Sequence, residues 1–226
     1  MHSDRRLNLL YAQDLAKKLF HEVELRNLIE PGCHESEVNE RVYVLARELF
    51  GIKKYWHKRI VRAGSNTLCP YRENPPDLRI GDNDILFLDF GPIFESWEAD
   101  FGQTFVLGSD PVKLAMKADV KSIWDAGKAF FETNRLVRAH DFFAYVREEA
   151  RKKGYAWVSS HCGHLIGEFP HENIPRNQKD SFLTQDNYLP LQRLSSDGRE
   201  LDWILEVHIT RTDLGRGAFH EELLTV

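Results

Sequence analysis

Apolar residues recur along this chain in two rhythms, and the switches between them predict its elements. Ala12, Leu15, Leu19 and Val23 stand three or four apart, the spacing of one helical face, and Pro31-Gly32 is expected to end that helix. Val38, Val42, Leu45 and Leu49 mark a second helix, stopped by Gly51. An aromatic and basic stretch, Tyr55-Trp56-His57, and a polar loop at 65–77 follow. The pattern then predicts two strands, Asp84–Gly91 and Asp100–Val106. After Gly108-Ser109-Asp110-Pro111 the order returns: a long helix to about Glu132, then a helix around Phe143, Val146 and Ala150 stopped by Gly154. Another aromatic stretch, Tyr155-Ala156-Trp157, and two late strands complete it. The offset is about one hundred residues, with little residue identity between the halves, so the duplication is one of pattern. Two such halves pool their strands into one sheet with helices on one face, an α+β layout. The polar run at 173–198 is expected to be an insertion or mobile loop.

The strands carry the chemistry. With Phe94-Glu95 taken as the midpoint of the first hairpin, Asp89 faces Asp100. Like charges paired across strands destabilise a sheet by about 0.2–1 kcal/mol, and by more where water is excluded. A divalent cation reverses that sign, because carboxylate oxygens are its preferred ligands. The competing readings are a wet sheet edge or a different register. In the late strand Trp203, Leu205, Val207 and Ile209 share one face, while Ile204, Glu206, His208 and Thr210 share the other. That second face is either solvated or presents Glu206 and His208 to something. The last strand, from Phe219 onward, adds Glu221 and Glu222. His161, His164 and His171 fall within eleven positions, and Gly163 and Gly167 flank His164, freeing the backbone to aim its imidazole. Taken singly, His161, His208 and His220 read as satisfied core residues, and Cys162 as a small buried thiol.

Composition narrows the options. At 226 residues, 42% hydrophobic and 29% charged, the chain fits one large packed domain spanning 1–226. A net charge of -5 argues against nucleic acid as a partner, and two divalent cations would offset most of it. Three cysteines give no disulfide framework. The N-terminus lacks the apolar run of a signal peptide and no segment has the length and hydrophobicity of a membrane span, so a cytoplasmic location is expected.

Taken in order, LDFG at 88–91, ADFGQTF at 99–105, GHLIG at 163–167, FPHE at 169–172, ILEVH at 204–208 and FHEELL at 219–224 resemble the methionine aminopeptidase, Xaa-Pro peptidase and creatinase superfamily. The likeness runs from about residue 10 onward, and it implies the pita-bread fold with its internal pseudo-symmetry. It further implies two divalent ions (Mn, Co, Zn or Fe) held by Asp89, Asp100, His164, Glu206 and Glu221, with Asp100 and Glu221 bridging. Glu221 is preferred over its neighbour Glu222. In that pattern the ions activate a bridging water, Glu206 shuttles the proton, and His171 bonds the substrate carbonyl or oxyanion. The implied activity is that of an exopeptidase on a short peptide, of aminopeptidase or Xaa-Pro dipeptidase type.

Departures from the pattern matter. Methionine aminopeptidases carry a His-Gly pair about eighteen residues before the first aspartate, whereas this chain has Tyr71 there, with His57 or Arg72 as conceivable stand-ins. The chain is also short for the N-terminal domain of full-length Xaa-Pro peptidases. The alternatives are a creatinase-type hydrolase of a non-peptide C–N bond and a non-catalytic binding module of the same fold. The intact ligand set weighs against both, and a homodimer is left open.

Overall fold

The computed structural model describes residues 2–170, 179–196 and 198–225. Helices α1 (His2–Leu25) and α2 (Glu35–Phe50) precede strands β1 (Ile60–Ala63) and β2 (Ile85–Phe90). A small hairpin, β3 (Ile93–Phe94) and β4 (Trp97–Glu98), leads into β5 (Phe101–Val106). Helices α3 (Pro111–Thr133) and α4 (Ala139–Lys152) then give way to β6 (Ala156–Trp157), β7 (His161–Ile166), β8 (Phe182–Thr184), β9 (Asp202–Arg211) and β10 (Arg216–Leu223).

Local chemistry sets the helix ends. Asp110 caps α3, accepting the Val112 N–H at 2.9 Å, with Pro111 in the first turn. At the start of α2 the His34 N–H donates to Glu37 Oε2 at 2.7 Å. Gly51, left-handed at φ 68°, ends α2 as its sequence position predicts. Helix α1 stops earlier than Pro31-Gly32. Asn27 takes the left-handed conformation at φ 51°, its N–H reaches Glu24 O, and the Leu28 N–H reaches back to Val23 O, both at 3.0 Å. This Schellman-type closure consumes the terminal carbonyls before the proline is reached.

The sheet runs β1-β2-β5-β10-β9-β7-β8, with β6 also beside β9, and every pairing is antiparallel. Its two halves meet where β5 pairs with β10. The helices cover one face in two clusters. Phe20 and Val23 of α1 and Val42 and Leu45 of α2 pack on Leu86, Leu88 and Phe90 of β2. Ile123 and Trp124 of α3 and Phe142 and Val146 of α4 pack on Trp203, Leu205, Val207 and Ile209, the alternate residues of β9 read from its pattern. Burying each of these large side chains contributes about 1.5–3 kcal/mol. The Trp124 indole N–H also donates to Leu205 O at 2.9 Å, tying α3 to the strand beneath it.

Two further expectations are corrected. Asp89 pairs with Gly102 rather than Asp100. The β3–β4 turn is centred on Glu95-Ser96, with Glu95 left-handed at φ 57°, one residue beyond the assumed midpoint in effect, and such a displacement moves the pairing by two. Within the run at 173–198, expected to be an insertion or mobile loop, the described residues 179–196 are held in place: they contain β8, and Leu183 and Leu191 are fully buried in the second-half cluster. Sparse apolar residues, correctly spaced, suffice to dock that segment.

Candidate metal centre

The face turned away from the helices carries a row of acids. Asp89 on β2 pairs with Gly102 on β5, Gly102 with Glu221 on β10, and Glu221 with Glu206 on β9. The row thus reads carboxylate, gap, carboxylate, carboxylate across four adjacent strands. Gly102 makes the gap necessary as well as available, since a Cβ there would collide with the Phe219 ring. Asp100, two residues before Gly102, reaches the row from the start of β5. All four acids are poorly exposed: Asp89, Asp100 and Glu221 are buried and the Glu206 side chain is 12% exposed.

The histidines complete the cluster. His164 Nε2 lies 3.1 Å from Asp100 Oδ2 and 3.9 Å from Glu221 Oε1. His57 Nε2 lies 3.1 Å from Asp100 Oδ1 and 3.6 Å from Asp89 Oδ1. His161 Nδ1 lies 2.8 Å from Glu206 Oε1. Asp89, Asp100, His164, Glu206 and Glu221 therefore lie in one cluster. Glu222 is not: it faces the helices, bonded by His220 Nε2 at 2.9 Å and paired with Lys17 Nζ at 2.7 Å. His171 lies outside the described residues.

His208 and His220 are satisfied core residues as expected, His208 sharing a hydrogen bond with Thr67 O at 2.8 Å. His161 is corrected to a member of the site. Residues 161 and 164 stand three apart and would face opposite ways in a regular strand, but β7 has a register irregularity between them that turns both toward the acids. His57 emerges from a loop with no periodicity to announce it. Tyr71 borders His57, ring centroids 6.0 Å apart, while Arg72 is exposed.

Charge balance shows what the cluster lacks. Burial, then the nearby charges of Asp100, Asp89 and Glu206, push Glu221 well above the usual carboxylate range. Burial also pushes Asp89 up to about 7, against the pull of His57 and with the repulsion of Asp100 and Glu206. Burial would raise Asp100 too, but His57 and the bond to His164 hold it low. In the same way His161 holds Glu206 low against its burial. Burial works against a charged His57, yet Asp89 and Asp100 raise it to about 9. Among the described residues none of the four acids pairs with Lys or Arg. Asp89 Oδ1 is buried without a hydrogen-bond partner. An orphaned carboxylate oxygen in a nest of oxygen and imidazole donors fits a hard or borderline divalent cation. Two overlapping groups can hold one, His57-Asp89-Asp100 and Asp100-His164-Glu221.

Solved structures share this fold. A dipeptidase of Pyrococcus horikoshii superposes with a TM-score of 0.73 at 24% identity, covering 95% of this chain and 55% of its own. An X-Pro aminopeptidase of Thermotoga maritima gives 0.74 at 19%, covering 100% and 62%. A methionine aminopeptidase of the same organism gives 0.67 at 17%, covering 95% and 93%. The chain spans little more than half the length of the first of these. No curated protein sequence matches it significantly. The model of metallopeptidase family M24 matches residues 8–194, a segment carrying Asp89, Asp100 and His164, and the fold sets Glu206 and Glu221 beside them. With that match over most of its length, the chain belongs to metallopeptidase family M24.

Proposed function

We propose that the protein is a metal-dependent exopeptidase acting on short peptides, of aminopeptidase or Xaa-Pro dipeptidase type. Asp89, Asp100, His164, Glu206 and Glu221 would hold two divalent ions, Mn, Co, Zn or Fe, with Asp100 and Glu221 shared. The observation that carries this reading is the buried four-acid cluster, with an orphaned Asp89 oxygen and no Lys or Arg partner among the described residues. Bound ions would polarise a peptide carbonyl and lower the pKa of water, the two effects that hydrolysis at neutral pH requires. Glu206, held low by His161 against its burial, would accept a proton at its carboxylate and return it to the leaving nitrogen. His161 lies beside that carboxylate, and His171 would bond the substrate carbonyl. The cluster lies on the face of the sheet opposite the one on which α3 and α4 pack.

The whole chain, 1–226, is read as one catalytic domain, because both halves of the sheet contribute ligands. Cys33, Cys69 and Cys162 are free thiols, which supports a cytoplasmic location. Among the described residues no helix is long and apolar enough to cross a membrane. The test is a dipeptide panel with Met-Xaa and Xaa-Pro members, assayed after chelator treatment and reloading with Mn, Co or Zn. Turnover that requires metal and disappears in Asp100→Ala and Glu206→Ala is expected. Equal rates in those variants, or a chain that retains no metal, would overturn the reading.

A further inference from the structure

The two histidines beside Asp100 are built alike. His57 Nδ1 lies 2.8 Å from the carbonyl of the next residue, Lys58, and His164 Nδ1 lies 2.8 Å from the carbonyl of its next residue, Leu165. A carbonyl only accepts, so each Nδ1 carries the hydrogen and each ring turns Nε2 toward the acids. His57 Nε2 approaches Asp100 Oδ1 and His164 Nε2 approaches Asp100 Oδ2, both at 3.1 Å. One carboxylate is thus flanked by an imidazole at each oxygen. Asp89 Oδ1, the oxygen without a hydrogen-bond partner, is also the one 3.6 Å from His57 Nε2.

The surroundings hold His57 in place. Its side chain is 7% exposed, and its ring packs edge-on against Trp56, with centroids 4.4 Å apart. Trp56 is pinned by its indole N–H on Ala99 O at 2.9 Å and its backbone N–H on Gly91 O at 3.0 Å. Gly91, which ends the LDFG motif, is where the rings pass: a Cβ there would collide with both His57 and Trp56. A histidine fixed this way costs side-chain and backbone freedom that a solvent-facing residue would not.

We propose that His57 is a metal ligand, joining Asp89 and Asp100 on one divalent cation, while His164 is the imidazole of the other, with Asp100 and Glu221 shared between them as proposed above. This rests on the reading of the acid cluster as a metal centre. It gives each ion its own imidazole and makes the centre more symmetric than the five-residue pattern in the sequence implies. A nitrogen donor at the Asp89 end favours Co, Zn or Fe over Mg or Ca there.

The experiment uses Co(II) as the probe on the full chain. A ligating imidazole whose Nδ1 keeps its hydrogen gives an exchangeable, strongly shifted proton resonance in the Co(II) protein. Two such resonances are expected at two equivalents of Co(II). His57→Gln removes one and weakens one of the two Co(II) sites by at least about tenfold, the lower end of what even an outer partner's loss costs. His164→Gln removes the other. One resonance from a wild-type chain holding two ions would overturn the assignment without any variant. So would His57→Gln with both affinities unchanged or tighter. A wild-type chain that binds no Co(II) would instead overturn the metal-centre reading itself.

Discussion

Glu221→Gln isolates the electrostatics of the acid row without changing its shape. Glu221 sits opposite Glu206 and beside the gap at Gly102, and burial with the charges of Asp100, Asp89 and Glu206 raises it well above its ordinary value of 4.5. In metal-free protein the folded state therefore keeps a proton at Glu221 that the unfolded chain has already released. A group raised on folding gives stability that is fully present below its unfolded pKa and is lost as pH rises toward the folded one. Wherever the unfolded chain has released that proton and the folded one has not, the loss is about 1.4 kcal/mol for each unit of pH. The Glu221→Gln variant would carry no such loss, because an amide does not titrate. Urea unfolding of chelator-treated wild type and variant at pH 5 and pH 7 measures the difference directly. The variant's stability is expected to fall less, and at pH 7 it matches or exceeds wild type. Saturating Mn(II) reverses the order, since a site filled at a hundred times its Kd adds about 2.7 kcal/mol to the wild type alone. Parallel pH dependences, together with equal stabilisation of both proteins by Mn(II), would refute the argument.

Two further substitutions probe how the site is supported. Gly102→Val places branched bulk against the Phe219 ring and is expected to destabilise the fold by about 1–3 kcal/mol in urea, with metal affinity falling as β5 is pushed from β10. Glu35→Ala removes a buried carboxylate that accepts the Ala63 N–H at 2.5 Å, the Leu78 N–H at 3.1 Å and the Asn66 amide at 2.9 Å. Three donors left unmatched predict a loss of about 3 kcal/mol, read as a lower Tm, whereas Glu35→Gln retains part of it.

The parts of this molecule that repeat are legible in its sequence alone. Trp203 to Ile209 alternate with period two, and the strand keeps that alternation with its apolar side under α3 and α4. Asp89, Asp100, His164, Glu206 and Glu221 stood in an order that resembles a known superfamily, and they do converge. What escaped was decided by single residues. The Asp89 pairing depends on where one turn is centred, and nothing local distinguishes Phe94-Glu95 from Glu95-Ser96. Asn27 ended α1 because asparagine tolerates a left-handed backbone, a choice that competes with a proline a few residues on. His161 was hidden by an irregularity in β7 that no hydrophobic rhythm records. His57 depends on packing of Trp56 against Gly91, a contact between distant segments.

Strand β10 joins the two halves of the sheet, and its position has a bearing on biosynthesis. Residues 216–223 leave the ribosome after every other described element, yet they lie between β5 and β9. A nascent chain halted short of them holds two partial sheets, each with an unpaired border of the kind that recruits foreign strands. Glu221 arrives on that same segment, so the acid cluster cannot be completed before it has emerged.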